Sequence, residues 1–377
     1  DGTTPRCYPG QAMIKGASGG YDLLVVGGGL AGCEAAYQAA RRGLRVVLAE
    51  MRPARTTPAH RTDQLAELVC SNSLGSDLPY RAAGLLKSEM RALGSLVMAA
   101  ADRCAIPAGG ALAVDRDRFS DEVSSVLERQ PGLRVVRTEV AAIPDGACVV
   151  ASGPLTSDTL AADLARLAGA DHLHFYDASS PIIAADSIDL SVAFRQSRHG
   201  RGLRETGDYL NCPLDEAQFE RFAAELVIAE RHLLRDFERA DAAFFEACLP
   251  IEALADRGQR ALLFGPLRPI GLRDPRTGRR PHPVVRLRQN DAAETLYNMV
   301  GFQTNLRWPE QERVFRMIPG LTGARFERFG RMHRNTFVRA PALLEATMQA
   351  RFRDGLWLAG QITGIEGYAG SAASGLV

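Results

Sequence analysis

The first clear pattern along the chain is an apolar run, Tyr21–Val26, which predicts a strand buried in a parallel sheet. It enters Gly27-Gly28-Gly29-Leu30-Ala31-Gly32, after which Cys33–Arg42 reads as a helix ending at Gly43. A second apolar run, Leu44–Ala49, closes on Glu50. Together these make one βαβ unit with connections of ordinary length. Further on, Leu85, Leu86, Met90, Leu93 and Val97 fall at helical spacing and predict one helix over Leu85–Met98. Asp115–Leu127 predicts another. Short strands are expected at Leu133–Thr138, Cys148–Ala151 and Pro181–Ile188. From about residue 200 the texture changes to long helical stretches, notably Asp215–Phe237, with arginine- and proline-rich loops between them. Leu356–Ala359 predicts a last strand, followed by Gly360-Gln361-Ile362-Thr363-Gly364 and a small-residue helix start at Gly370–Ala373. The chain stops inside that apparent helix, so a continuation beyond Val377 is expected. Residues 1–20 lack periodicity and read as a disordered lead-in or a misassigned start, with Met13 an alternative start.

Composition adds bounds. With 377 residues, 46% apolar and 24% charged, the chain is an ordinary globular protein of about two to three domains. Its formal charge of +1 points to no partner, but the charge is unevenly spread. Residues 260–290 hold Arg260, Arg268, Arg273, Arg276, Arg279, Arg280, Arg286 and Arg288 against Asp274 alone, a local charge of +7. The seven cysteines are scattered, odd in number and free of CxxC spacing, which fits a reducing compartment and argues against structural zinc. No apolar run reaches the roughly 18 residues of a membrane span, and a cytoplasmic protein is expected.

In Gly27-x-Gly29-x-x-Gly32 the three glycines serve different ends. The first makes a tight turn, the second lets the backbone approach a pyrophosphate, and the third allows close helix–strand packing. Glu50, 18 residues beyond Gly32 at a strand end, can accept hydrogen bonds from a ribose. Strand, helix, strand and terminal acid together predict dinucleotide binding. The glycine-led return segment Ala359–Ala373 turns the expectation from NAD towards FAD, because its helix start can face the cofactor.

Several stretches resemble one family. Glu50-Met51-Arg52-Pro53, Thr57-Pro58-Ala59-His60 and Glu67-Leu68-Val69-Cys70-Ser71-Asn72-Ser73-Leu74 look like the folate- and FAD-dependent tRNA (uracil-5-)-methyltransferases, relatives of the GidA-type tRNA modification flavoproteins. Pro107–Arg116, Tyr209–Pro213, Phe245–Pro250, Phe264-Gly265-Pro266, Gly301–Thr304, His333–Thr336 and Glu366-Gly367-Tyr368 are similar to the same family. The likeness runs from about Tyr21 to the last residue. It implies an α/β fold, a Rossmann-like FAD-binding domain of the GidA type with an inserted α+β domain. The expected division is 21–200 and 336–377 for the FAD-binding domain and 201–335 for the insertion.

The resemblance also implies the chemistry: 5,10-methylenetetrahydrofolate as carbon donor, reduced FAD as electron carrier, NADPH or NADH as reductant, and 5-methyluridine in the T-loop of tRNA as product. The fingerprint and the resemblance together assign cofactor binding to Gly27, Gly29, Leu30, Ala31, Gly32, Glu50, Met51, Arg52, His60, Ser71, Asn72, Gly360, Gly367, Tyr368 and Ser371. Uracil C5 is a poor nucleophile until a thiolate adds at C6, so a cysteine is required, with a base to remove the C5 proton. Cys248 and Cys70 lie in family-like motifs. Cys248 is favoured for the attack on C6 and Cys70 for a flavin-adjacent role, with the choice between the two left open, while Cys33, Cys104, Cys148 and Cys212 read as packing residues. The 260–290 arginines, extended by Arg325, Arg328, Arg331, Arg334 and Arg339, are expected to grip RNA phosphates. His333 reads equally as a site residue and as a structural one. Three alternatives stay open: ribosomal RNA as substrate, a plain FAD oxidoreductase or GidA-like modifier, and a flavin-bearing RNA-binding protein without turnover. So do the choice of NADPH or NADH and of monomer or homodimer.

Overall fold

The computed structural model describes residues 20–169, 173–232 and 249–377. β1 (Leu23–Val26) runs into α1 (Leu30–Arg41), which returns to β2 (Val46–Glu50). An antiparallel sheet follows, made of β3 (Ser73–Ser76), β4 (Ala105–Ile106) and β5 (Ala111–Val114), with α2 (Ala82–Ala92) and α3 (Leu96–Arg103) between β3 and β4. α4 (Arg116–Arg129) leads to β6 (Leu133–Arg137), β7 (Cys148–Val150), α5 (Asp158–Ala168) and β8 (Leu173–Ala178). β9 (Ile182–Ala184), β10 (Phe194–Arg195) and β11 (Tyr209–Pro213) precede three helices, α6 (Glu216–Ile228), α7 (Ile251–Asp256) and α8 (Gln259–Phe264). β12 (Val284–Gln289), β13 (Leu296–Met299), α9 (Trp308–Phe315) and β14 (Phe326–Arg328) come next. β15 (Met332–Phe337) pairs antiparallel with β8, and α10 (Ala340–Leu343), β16 (Leu356–Leu358) and α11 (Tyr368–Leu376) end the chain.

The first sheet is parallel throughout, in the order β16-β7-β1-β2-β6. Both faces are covered, which is why its strands read as unbroken apolar runs rather than alternating ones. Val25, Val46 and Leu48 meet Cys33, Ala36 and Ala40 of α1 on one side. On the other, Leu24, Val26 and Val47 meet Leu160, Leu164 and Leu356. The chain passes from β1 to β2 on one flank and later returns to β7 on the other, so the carboxyl ends of β1 and β7 open a crevice between them.

The second sheet, β10-β11-β12-β13-β9-β14, is antiparallel throughout and has two unlike faces. Register places Leu210, Cys212, Val285, Leu287 and Met299 on one face, where they pack under Phe219, Phe222, Ile251, Leu262 and Phe315 from α6 to α9. Tyr209, Asn211, Arg286, Arg288 and Asn298 occupy the opposite face.

Sequence expectations and structure part in identifiable places. The helix expected over Leu85–Met98 is two helices, because Gly94 takes a left-handed φ of 76° and Ser95 caps α3. The carboxylate of Glu34, fully buried in α1, accepts from Ser95 Oγ (2.7 Å), Leu96 N (3.0 Å) and Val97 N (2.9 Å), holding that helix start from outside. The strand expected over Pro181–Ile188 is only β9, followed by a 3-10 turn at Ala185–Ser187. The helix expected over Asp215–Phe237 starts as predicted, with Asp215 and Gln218 in a capping box, but ends at Ile228. There Arg231 instead pairs with Leu306 across a backbone bridge and with Asp256 as an ion pair. The arginine-rich stretch before residue 290 is no loop at its end: Val284–Gln289 is a strand interior to the sheet. The strands of the second sheet run from 182 to 328, so a boundary at 201 falls between the hydrogen-bonded neighbours β10 and β11. Among the described residues no helix is long and apolar enough to cross a membrane.

Candidate active site

The β1–α1 turn is built around two glycines that admit no side chain. A Cβ on Gly27 (φ 107°) would lie 2.4 Å from the Ala151 carbonyl oxygen, and one on Gly32 would lie 1.9 Å from that of Gly27. These contacts seat α1 against the sheet. Gly29 has the opposite surroundings, with no heavy atom within 4 Å of its Cβ position, so the space above the turn is open. There the first amides of α1, which have no intrahelical partner, face outward without a side-chain cap on Gly29.

That space is a groove of about 990 Å³, open solvent included, along the carboxyl ends of the parallel strands. It brings together Gly27, Gly29, Leu30, Ala31, Glu50, Met51, Arg52, His60, Gly360, Tyr368 and Ser371. A glycine-floored crevice with outward amides, next to an acid at a strand end, matches what a dinucleotide cofactor requires. Four expected residues do not line it. Gly32 lies beneath as a packing residue and Gly367 is the N-cap of α11. Ser71 and Asn72 belong to the neighbouring cysteine loop. The groove also takes in Thr138–Val140 and Ala151–Ser157, which sequence reasoning missed. Their signal was available: both follow predicted parallel strands, and ligands sit outside such carboxyl ends.

Burial sets the electrostatics of the groove. Glu50 accepts from Gly28 N (2.8 Å) on one oxygen and from Arg52 N (3.0 Å) and Nε (2.9 Å) on the other. Desolvation pushes its carboxyl up, but the Arg52 guanidinium and the two amides together bring it below its ordinary value. Arg52, 2% exposed, also donates to Glu67 Oε2 (3.1 Å) and the Thr62 carbonyl (3.1 Å). His60, with Nδ1 2.6 Å from Thr57 Oγ1, is held down to about 4 by desolvation and then by Arg52, so it is neutral at pH 7.

The loop carrying Cys70 lies one side chain away. Tyr368 Oη accepts from Cys70 N (2.8 Å) and Ser71 N (3.2 Å), and Tyr368 itself lines the groove. Burial, then the neighbouring Cys70, pushes that phenol up, so it keeps its proton. Cys70 Sγ lies 3.6 Å from the Ala178 carbonyl oxygen. The rest of the loop is gripped by arginines from three elements. Arg116 of α4 donates to the carbonyls of Leu68 (2.7 Å) and Cys70 (3.3 Å), and Arg328 of β14 to that of Val69 (2.9 Å). Arg288 of β12 donates to Asn72 Oδ1 (2.9 Å) and Ser71 Oγ (3.2 Å). Asn72 in turn donates to the carbonyls of Val114 and Gln289, both at 3.0 Å, fastening the loop to the second sheet.

Arg288 therefore belongs to this loop and not to a surface phosphate grip. The other members of the 260–290 cluster are also dispersed. Arg276 pairs with Asp274, Arg260 covers Phe264, and Arg286 stacks on Tyr209 at 3.9 Å. Cys33, Cys104, Cys148 and Cys212 are buried, and Cys33 Sγ meets the Gly28 carbonyl at 3.3 Å. Cys248, the other assigned catalytic residue, lies outside the described residues.

The profile of the family described as Glucose inhibited division protein A matches residues 22–377. A methylenetetrahydrofolate–tRNA-(uracil-5-)-methyltransferase TrmFO from Moorella thermoacetica is 57% identical over 94% of this chain and 80% of its own length. The protein of that name from Geobacter sulfurreducens is 56% identical over 94% and 81%. The solved structure of Aquifex aeolicus GidA superposes with a TM-score of 0.71 at 18% identity, over 94% of this chain and 62% of that one, a likeness of fold. The chain belongs to the Glucose inhibited division protein A family and, within it, to the methylenetetrahydrofolate–tRNA-(uracil-5-)-methyltransferases of the TrmFO type.

Proposed function

We propose that this protein transfers a one-carbon unit from 5,10-methylenetetrahydrofolate to uridine C5 in tRNA, forming 5-methyluridine in the T-loop. FAD occupies the groove at the strand ends, and NADPH or NADH is the reductant. The observation that carries the reading is identity above one half with relatives so named, over nearly the whole chain. The groove supports it with an open turn at Gly29 and the acid Glu50 beside it. Gly27–Ala31, Glu50 and the Gly360 and Ser371 region would hold the cofactor, which when bound supplies the electrons that reduce the transferred carbon to a methyl group.

The protein's own residues supply the rest. Cys248 is assigned the addition to uracil C6 that makes C5 nucleophilic, and Cys70, one side chain from the groove through Tyr368, takes the flavin-adjacent role. Tyr368 offers a protonated phenol beside Cys70. Arg116 and Arg328 hold the Cys70 loop and add positive potential where negative charge develops on uracil O4. The protein acts in the cytoplasm, where tRNA and reduced folates are found together.

The test is one incubation of the protein with unmodified tRNA transcript, carbon-labelled methylenetetrahydrofolate, FAD and NADPH, followed by nucleoside analysis. Labelled 5-methyluridine at the T-loop is expected. Bound flavin without label in tRNA, but with label in ribosomal RNA, would overturn the choice of substrate. A Cys248→Ala protein that still forms a full covalent RNA adduct would overturn the assignment of the attacking thiol.

A further inference from the structure

One group of half-buried and buried arginines stands apart from buried Arg52, which keeps the acids Glu50 and Glu67. Several on the surface are paired with acids, as in Arg45–Asp22, Arg231–Asp256, Arg307–Glu230 and Arg351–Glu345. Arg286 and Arg288 on the polar face of the second sheet, with Arg198, Arg116 and Arg328 around it, have no carboxylate partner among the described residues. Instead they meet carbonyls, amides, a hydroxyl and the ring of Tyr209. Arg198 Nε and Arg286 Nε are buried and find no acceptor at all. Burial and mutual repulsion lower the proton affinity of Arg198, with Arg286 and Arg268 as the repelling neighbours. Several guanidiniums withdrawn from water without counter-charge are costly unless an anion joins them.

We infer that Arg198 and Arg286 bind the glutamate tail of the folate co-substrate, at the outer end of an arginine row that leads to Cys70. The inference rests on the function proposed above and names the subsite for its carbon donor. Arg286 and Arg288 are two residues apart on one face of β12, about 7 Å by strand geometry. An extended γ-linked glutamate chain carries a carboxylate every 6 Å or so, a comparable spacing, and a guanidinium takes a carboxylate in bidentate fashion. Tyr209, the ring beneath Arg286, donates its hydroxyl to the Ala108 carbonyl at 2.9 Å.

The experiment measures equilibrium binding of tetrahydrofolate carrying one or three glutamates to the flavin-loaded protein, without turnover. The wild type is expected to bind the triglutamate about tenfold more tightly, the size of one charge-assisted pairing. In Arg198→Gln and Arg286→Gln that ratio falls to near one, while the bound-flavin spectrum, which reports folding and the groove, stays the same. Arg286→Lys, which keeps the charge but not the fork, retains part of the preference. A wild-type ratio near one overturns the inference, as does a glutamine variant that keeps the wild-type ratio. If the variants keep the ratio but weaken binding of tRNA transcript, the row serves RNA phosphates instead. Failure of the wild type to bind either folate would count against the proposed function itself, a separate result.

Discussion

The groove and the cysteine loop each bury arginine, and they neutralise it differently. At the groove, Arg52 lies between the carboxylates of Glu50 and Glu67, so two acids face one base in a place nearly closed to water. Around residues 68–72, Arg116, Arg288 and Arg328 are met, among the described residues, by neutral oxygens. The first arrangement is complete and rigid, suited to holding a turn in place beneath a cofactor. The second keeps an excess of positive charge beside a thiol, which is what a site that receives anionic substrates and develops negative charge needs.

If that contrast is right, Arg52→Met is the most damaging change. It strands two buried carboxylates and is expected to cost about 3–5 kcal/mol in urea unfolding. A cost below about 1 kcal/mol would mean that the groove is wetter than its geometry. The next effect is one of pH. His60 takes a proton only near pH 4 when folded but near 6.5 when unfolded, so between those values the unfolded chain binds more protons. Stability contributed by keeping His60 neutral is therefore complete above about 6.5 and lost as pH falls towards 4. Its size is about 2–3 kcal/mol, discounted for partial exposure. Comparing wild type with His60→Gln across that window should remove this slope, and an unchanged slope would assign it to other groups.

Arg288→Met should cost less than Arg52→Met, about 1–2 kcal/mol, because it leaves Asn72 and Ser71 rather than charges unpaired. Equal losses for the two would erase the distinction between the sites. Smallest of all is Arg325→Ala. Its pairs with Asp186 and Glu327 are solvent-exposed, and the thermal unfolding midpoint should stay where it is in the wild type.

What could be read from the chain followed physical periodicity. The two-sided strands of the first sheet, the glycine turn and Asp215 as a cap all depend on residues within a few positions of one another. Of the second sheet, β9 lies within an expected strand, but β12 does not, because its arginines resemble loop residues. Yet Val285, Leu287 against Arg286, Arg288 is a two-residue alternation, the mark of a strand with one apolar face. Gly94-Ser95 was likewise a readable break between helices, passed over because the apolar spacing runs on through it. The Glu34 carboxylate at the start of α3 was not readable, since no local rule brings position 34 to position 96.

The sequence by itself determined the dinucleotide-type turn, the acid that closes it, the family and the chemistry that family implies, because these reside in short contiguous motifs. Tertiary structure alone decided that Ser71 and Asn72 serve the cysteine loop rather than the groove, and that Arg288 is buried against them from more than 200 positions away. It also decided which arginines keep acids and which do not. Local sequence shows the charge on a side chain, whereas the partner that balances it is chosen by what the fold packs beside it.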